Sequence, residues 1–209
     1  VPKEYQVQII DNKDIRNSII KRINGNVISM DNTICDSDIK LEITRSLDQK
    51  GKQILRNRPW AKPIEQQLED IKQKGSTFDL VDIGAFSGGT LNCVLDLMRK
   101  KQIEIRRIIL GIGDKKVITN MKTVPIELIY SIENLSEWIE LRDLIGIEGR
   151  NLIPKNNKQR YIPYWINLRY FASVEETPEL IQLCKNTYKE ICELISTQTT
   201  KLGIQEERI

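Results

Sequence analysis

The sequence predicts an α/β fold, a mostly parallel β-sheet flanked by helices with a C-terminal helical segment, and three observations carry that prediction. An apolar run, Phe78-Asp79-Leu80-Val81, ends in Asp82 and gives way to the small-residue stretch Gly84-Ala85-Phe86-Ser87-Gly88-Gly89. An amphipathic pattern follows at once from Thr90 to Lys101, with Leu91, Val94, Leu95 and Met98 on one helical face. Ile105 to Ile112 then reads as a buried strand. Strand, helix and strand in this order form a βαβ unit. Parallel strands in one sheet require a right-handed crossover, and the loop after the first strand falls at the carboxyl edge, where open α/β sheets bind ligands.

The other elements follow from periodicity and breakers. Glu4 to Ile10 alternates as a strand, and Asn12 is a helix cap ahead of Ile15, Ile19 and Ile23, stopped by Gly25. Val27 to Ile34 is expected to be a short strand running into a polar turn. Ser37 then caps a helix bearing Ile39, Ile43 and Leu47 up to Gly51. Arg56 to Pro63 is a basic, proline-broken connection with Trp60 at its centre, read as a surface loop or as an anion-binding loop at the site. Pro63 suits the first turn of a helix with Ile64, Leu68 and Ile71 on one face, closed by Gly75.

Beyond Asp114-Lys115-Lys116, Ile126 to Ile129 is expected as a strand and Leu135 to Leu144 as a helix ended by Gly146, Gly149 and Pro154. Thr177-Pro178-Glu179 starts a helix with Ile181, Cys184, Tyr188, Ile191 and Ile195 at heptad-like spacing. That helix is expected to pack on its own sheet, on a second copy or on a protein partner. Thr199 to Ile209 has the look of a frayed end or linker. One α/β domain over residues 1–209 is the expectation, with 135–209 as a C-terminal helical extension.

Composition excludes several classes. The 32 basic residues against 29 acids leave a net charge of +3, too little for nucleic-acid binding by bulk electrostatics. Nucleic acid stays open as a partner only through Tyr161, Tyr164 and Trp165 beside Arg150, Lys155, Lys158 and Arg160, a grouping able to stack a base but more commonly core plus solvated loop. No apolar run approaches the roughly 20 residues that span a bilayer, so no membrane partner is expected. Histidine is absent, which removes a Ser/His/Asp triad and a His-bound zinc site, and no metal-ligating set is assigned. Cys35, Cys93, Cys184 and Cys192 are scattered without a C-x-x-C pair, as expected of reduced thiols in a cytoplasmic protein. The chain begins at Val1 without a methionine or signal-peptide pattern, as a processed N-terminus or a piece of a longer protein does.

The chemistry-bearing stretch is Asp82-Ile83-Gly84-Ala85-Phe86-Ser87-Gly88-Gly89-Thr90-Leu91. A carboxylate, a glycine-rich loop and a helix N-terminus together offer backbone N–H groups to an anion and a carboxylate to a sugar hydroxyl. The stretch resembles the phosphoribosyl-pyrophosphate loop of type I phosphoribosyltransferases, in which two acids, three variable residues and Thr-Gly-Gly-Thr-Leu follow a central strand. The resemblance implies a phosphoribosyltransferase-like fold, a phosphoribosyl or nucleotide ligand, Mg2+, and transfer of a phosphoribosyl group to or from a base. It places the 5′-phosphate on Ser87, Gly88, Gly89 and Thr90 and gives Asp82 the catalytic, ribose-binding role. Where the family has its second acid this chain has Ile83, so half of the sugar and magnesium contact is missing, and no upstream pyrophosphate loop of the family's kind is present. Farther on, Glu140 to Asp143, Gly146, Gly149-Arg150, Pro163-Tyr164 and Ala172-Ser173 loosely resemble the C-terminal part of phosphoribosyltransferase-like proteins of bacterial operons.

Three other readings compete. The same residues resemble motif I of S-adenosylmethionine methyltransferases, with Gly84, Ala85, Gly88 and Gly89 lining the cofactor, yet the next strand ends near Asp114, about 30 residues past Gly84 rather than nearer 20. A non-catalytic interaction subunit fits Ile83, the missing histidines and the heptad-like helix. Finally, Ser29-Met30-Asp31-Asn32-Thr33 echoes the Asp-x-Asp-x-Thr motif of haloacid-dehalogenase phosphatases, but its nucleophile position holds Ser29. A serine without a base does not replace an aspartyl carboxylate, so a strand and turn is expected there.

Overall fold

The computed structural model describes residues 8–47, 53–58, 61–121 and 123–135, the pairs 151–152 and 160–161, and helical positions between Pro178 and Thr197. The elements are α1 (Asn12–Ile20), β1 (Val27–Ser29), β2 (Ile43–Leu47), β3 (Gln53–Asn57), α2 (Ile64–Lys74), β4 (Thr77–Ala85), α3 (Gly89–Lys100), β5 (Glu104–Asp114), α4 (Lys115–Asn120), β6 (Ile126–Ile132), β7 (Asn151–Leu152) and β8 (Arg160–Tyr161). Two compact units divide the chain, one from Val1–Arg45 with Leu55–Leu135 and the other from Ser46–Ile54 with Ser136–Ile209.

The first unit is built on a four-stranded sheet in the order β1-β4-β5-β6, parallel throughout. Its two faces carry separate cores, because successive strand residues point to opposite sides. On one face, Ile28, Phe78, Leu80, Ile108 and Leu110 pack under Leu68 and Ile71 of α2, Leu91, Val94, Leu95 and Met98 of α3, and Val117 of α4. On the other, Val27, Val81, Ile83 and Ile109 meet Ile15 and Ile19 of α1, with Ile34 and Cys35 beside them. The α3 face predicted from the sequence is buried in full. The cap of α1 is Asp11, whose side chain accepts from the Lys13 N–H, one residue before the Asn12 expected.

Chirality explains which helix lies where. Moving from β1 to β4, β5 and β6 always in one direction, right-handed crossovers put α2, α3 and α4 on the same face. A further contact reverses that direction. Ser29 forms a parallel bridge with Lys40, its N–H donating to the Ile39 carbonyl and its carbonyl accepting from Leu41 N–H. The 39–41 segment therefore lies on the side of β1 away from β4. The link to it passes Ile34 and Cys35 across the α1 face. Beyond β1 and beyond β4 the chain leaves toward opposite faces, which is the arrangement that opens a crevice at the strand ends.

Several expectations are corrected. The helix predicted from Ser37 to Gly51 is instead an extended segment followed by β2. Its apolar residues Ile39, Leu41 and Ile43 alternate, and its backbone groups bond outward. Gln67, buried on α2, accepts from Glu42 N–H at 2.7 Å, and the Glu42 carbonyl accepts from Arg58 N–H at 3.0 Å. Ser37 donates its hydroxyl to the Val27 carbonyl rather than opening a helix. The expectation over Val27 to Ile34, a short strand running into a polar turn, is met: β1 ends at Ser29 and Asp31 folds into a turn with Thr33. Arg56 and Asn57, expected in a loop, end β3. β4 runs on to Ala85, four residues past the predicted end at Val81, because β5 continues beside it through the pairs Gly84–Ile112 and Ala85–Gly113.

The second sheet has the order β3-β2-β7-β8, with Ser46 opposite Asn151 in a parallel pair and Asn151 and Leu152 opposite Tyr161 and Arg160 in an antiparallel one. Pro178, Glu179, Gln182, Lys185, Asn186, Lys189, Glu190, Glu193 and Leu194 are helical and exposed, in line with the helical segment predicted there. The expected strand start at Glu4, Trp60, the expected helix Leu135 to Leu144 beyond Leu135 itself, most of the aromatic cluster, and the apolar set Ile181 to Ile195 lie outside the described residues. No helix among the described residues is long and apolar enough to cross a membrane.

Candidate functional site

The turn between β4 and α3 is only Phe86, Ser87 and Gly88, and its brevity follows from the extra length of β4. Gly88 caps α3 at φ +78°, in the left-handed region that glycine adopts without a Cβ clash. A glycine cap has no side chain to bond the first-turn amides, so those of Gly89, Thr90 and Leu91 have no side-chain cap from that residue. The first helical bond closes from Asn92 N–H to the Gly88 carbonyl at 2.9 Å. Ser87 and Gly89 are exposed, Thr90 is half-buried and Gly88 is buried. Three N–H groups at the positive end of a 12-residue helix, with a serine and a threonine hydroxyl beside them, suit an anion. Arg99 and Lys100 in the last turn complement the same dipole.

Asp82 lies inside β4 rather than on the loop, half-buried and opposite Leu110. Alternation sets it on the face of Phe78 and Leu80, and its Oδ1 accepts from Ile83 N–H at 2.9 Å. Ile83, at the position of the family's second acid, points the other way and is buried against the α1 face with Ile15 and Ile19. A carboxylate there would sit in an apolar core without water. The apolar residue is thus dictated by packing, and the strand supplies one acid at this edge instead of two.

Two acids that sequence reasoning did not assign stand at the same edge. Asp31 follows β1 and is buried; its Oδ1 accepts from Thr33 N–H at 2.8 Å and from the Thr33 hydroxyl at 2.6 Å. Asp114 is the last residue of β5, also buried, and caps α4 by accepting from Lys116 N–H at 2.8 Å while its other oxygen accepts from Leu135 N–H at 3.0 Å. Asp at a strand end one residue before a short helix was the available signal. Just beyond it Lys115 pairs with Glu133, holding that carboxyl below the usual range, chiefly through the hydrogen bond. Ser29, the residue at the phosphatase-like nucleophile position, is buried and donates its hydroxyl to the Asp31 carbonyl.

Among the described residues no group of three or more acidic, histidine or cysteine side chains is arranged to hold a metal ion. A hollow of about 430 Å³ lined by Leu95, Arg99, Ile103, Ile105 and Val124 lies at the start of β5, the opposite end of the sheet from the Gly88 turn. Neither Cys35, buried, nor Cys93, exposed, is in a disulfide.

No protein-family model matches the chain, and no curated protein does. Among solved structures, a purine phosphoribosyltransferase from Pyrococcus horikoshii superposes with a TM-score of 0.34 and 12% sequence identity, over 62% of this chain and 89% of that one. A superposition that loose identifies neither a family nor a ligand.

Proposed function

We propose that the chain binds a phosphoribosyl ligand, of the ribose 5-phosphate or phosphoribosyl pyrophosphate kind, on the turn between β4 and α3. The observation that carries this reading is the left-handed Gly88 turn, which presents exposed Ser87 and the first amides of α3 at the edge where the chain leaves β1 and β4 toward opposite faces. The phosphate would lie on Ser87, Gly89 and Thr90, and Asp82 would take a ribose hydroxyl. Transfer to or from a base is the finer form of the reading: pyrophosphate leaves the anomeric carbon as a base nitrogen bonds to it, with Asp82 beside the developing positive charge. Magnesium would arrive as part of the ligand, on its pyrophosphate oxygens, because one half-buried carboxylate makes no resident site.

A methyltransferase site is less well supported. The acid at the end of the neighbouring strand, Asp114, is buried and engaged by two backbone N–H groups, so it holds a turn instead of facing a ribose.

Phosphoribosyl pyrophosphate with magnesium is expected to raise the melting temperature, by roughly 5–10 °C at a hundred times its dissociation constant. Asp82→Ala should remove most of that shift, and S-adenosylhomocysteine should give none. Absence of any shift with the phosphoribosyl compound at millimolar concentration would overturn the reading.

A further inference from the structure

We infer that Met121, which ends α4, is the positioning residue of the β4–α3 turn. The inference rests on the phosphoribosyl reading and concerns what holds the turn in a ligand-ready form. Gly88 decides where the amides of Gly89, Thr90 and Leu91 point, because one left-handed residue there reverses the chain into α3. Glycine by itself adopts left- and right-handed conformations about equally, so the choice must come from its surroundings.

Those surroundings are Met121 and Val117. A Cβ built on Gly88 would stand 2.7 Å from Met121 Sδ, 3.1 Å from its Cγ and 3.8 Å from Val117 Cγ1. Both side chains are buried, and they form the floor on which the turn rests. The floor is anchored in turn. Met121 N–H donates to the Val117 carbonyl at 3.1 Å, Asp114 caps α4 and accepts from Leu135 N–H, and Lys116 Nζ reaches Asn134 Oδ1 at 3.4 Å. With the Lys115–Glu133 pair, a continuous set of contacts runs from the end of β6 through α4 to Gly88. Precise sites depend on such supporting residues, and small displacements of a binding group cost affinity out of proportion to their size. Nothing in this set touches the anion position directly, which makes Met121 a positioning residue and not a catalytic one.

The test compares Met121→Ala, Met121→Leu and Met98→Ala in the full chain. Met98 lies in the same core, in the last turns of α3, far along that helix from Gly88. Met121→Ala is expected to weaken phosphoribosyl pyrophosphate roughly tenfold and to speed hydrogen exchange at the Gly88 to Leu91 amides. Met98→Ala should lower the melting temperature comparably yet leave affinity and those amides within about twofold, and Met121→Leu should restore binding. Equal affinity loss in Met121→Ala and Met98→Ala, or none in either, overturns the inference. A wild-type chain that binds no phosphoribosyl compound overturns the parent reading alone. Exchange at Gly88 to Leu91 then decides the positioning role, selective acceleration in Met121→Ala supporting it and equal rates refuting it. Should Met121→Ala not fold, Val117→Ala carries the same comparison.

Discussion

Asp79 is fully buried on β4, and two consecutive arginines of β5 close on it. Arg106 Nε donates to Oδ1 at 2.9 Å and Arg107 Nε to Oδ2 at 3.0 Å. Neighbouring strand residues normally face opposite ways, but the register passes from Phe78–Ile105 to Asp79–Arg107, and the extra residue of this bulge lets both guanidinium groups reach one carboxylate. They also bind the carbonyls of Asn24 and Arg22, fastening the turn between α1 and β1. Removing the acid strands partly exposed cations against a buried void. Asp79→Ala is therefore expected to cost about 3 kcal/mol, the low end for a buried pair, and Asp79→Asn less. Urea denaturation checks this, and a loss under about 1 kcal/mol would show the network to be ornamental. None of it was legible in the apolar run Phe78 to Val81, which by itself names no partner for Asp79. Burial, then Asp36, pushes the Cys35 thiol up, whereas Cys93 is exposed on α3. Iodoacetamide at neutral pH should label Cys93 and spare Cys35 until the chain unfolds, as peptide mapping would reveal.

At the scale of elements, the closeness of α1 to the sheet is set by Gly111. A Cβ there would stand 2.5 Å from Ile15 Cγ2 and 2.7 Å from the Ile83 carbonyl oxygen. The first contact can yield, but the second is backbone in the central strand. Gly111→Ala should lose about 2–3 kcal/mol by overpacking. Gly89→Ala, whose Cβ meets nothing nearer than Ser87 Oγ at 3.6 Å, should be close to neutral; similar denaturation midpoints for the two variants would contradict this account. The βαβ unit was legible because its signals reinforce one another: Leu91, Val94, Leu95 and Met98 at helical spacing between two short apolar runs. The stretch from Ser37 misled because Ile39, Ile43 and Leu47 fit a helix, while Leu41, buried between two of them, fits only a strand. Local pattern left that choice open, and the bonds from Gln67, Ser29 and Arg58 decided it. α4 was missed because Lys-Lys-Val-Ile-Thr-Asn is too short to show periodicity and its last four residues are weaker helix formers; its Asp114 cap and its packing make it helical.

For the molecule as a whole, two exposed glutamates tie elements together electrostatically. Lys101 at the end of α3 holds the Glu69 carboxyl of α2 below the ordinary range, chiefly by a hydrogen bond, and Lys115 does the same for Glu133. A carboxyl depressed in the folded state adds stability above its unfolded pKa, near 4.3, and loses it as pH falls through the lower folded value. The Glu69→Gln, Glu133→Gln double variant should therefore melt slightly below the wild type at about pH 6 and converge with it toward about pH 3. Both groups are exposed, so the gap should be small and should shrink in salt; a gap that widens on acidification would contradict the sign. The sequence by itself determined the parallel α/β unit, the helix after the glycine-rich turn and the single acid at Asp82, since these rest on residue type and on spacing within one stretch. Only the tertiary structure decided that β4 extends to Ala85, that Ile83 is apolar because α1 covers it, that Met121 lies beneath Gly88, and that Ser29–Lys40 pairing turns the sheet order at β1. Each of these depends on residues far apart in the chain meeting across strands, where the enclosing neighbours, and not the local pattern, fix what a position must be.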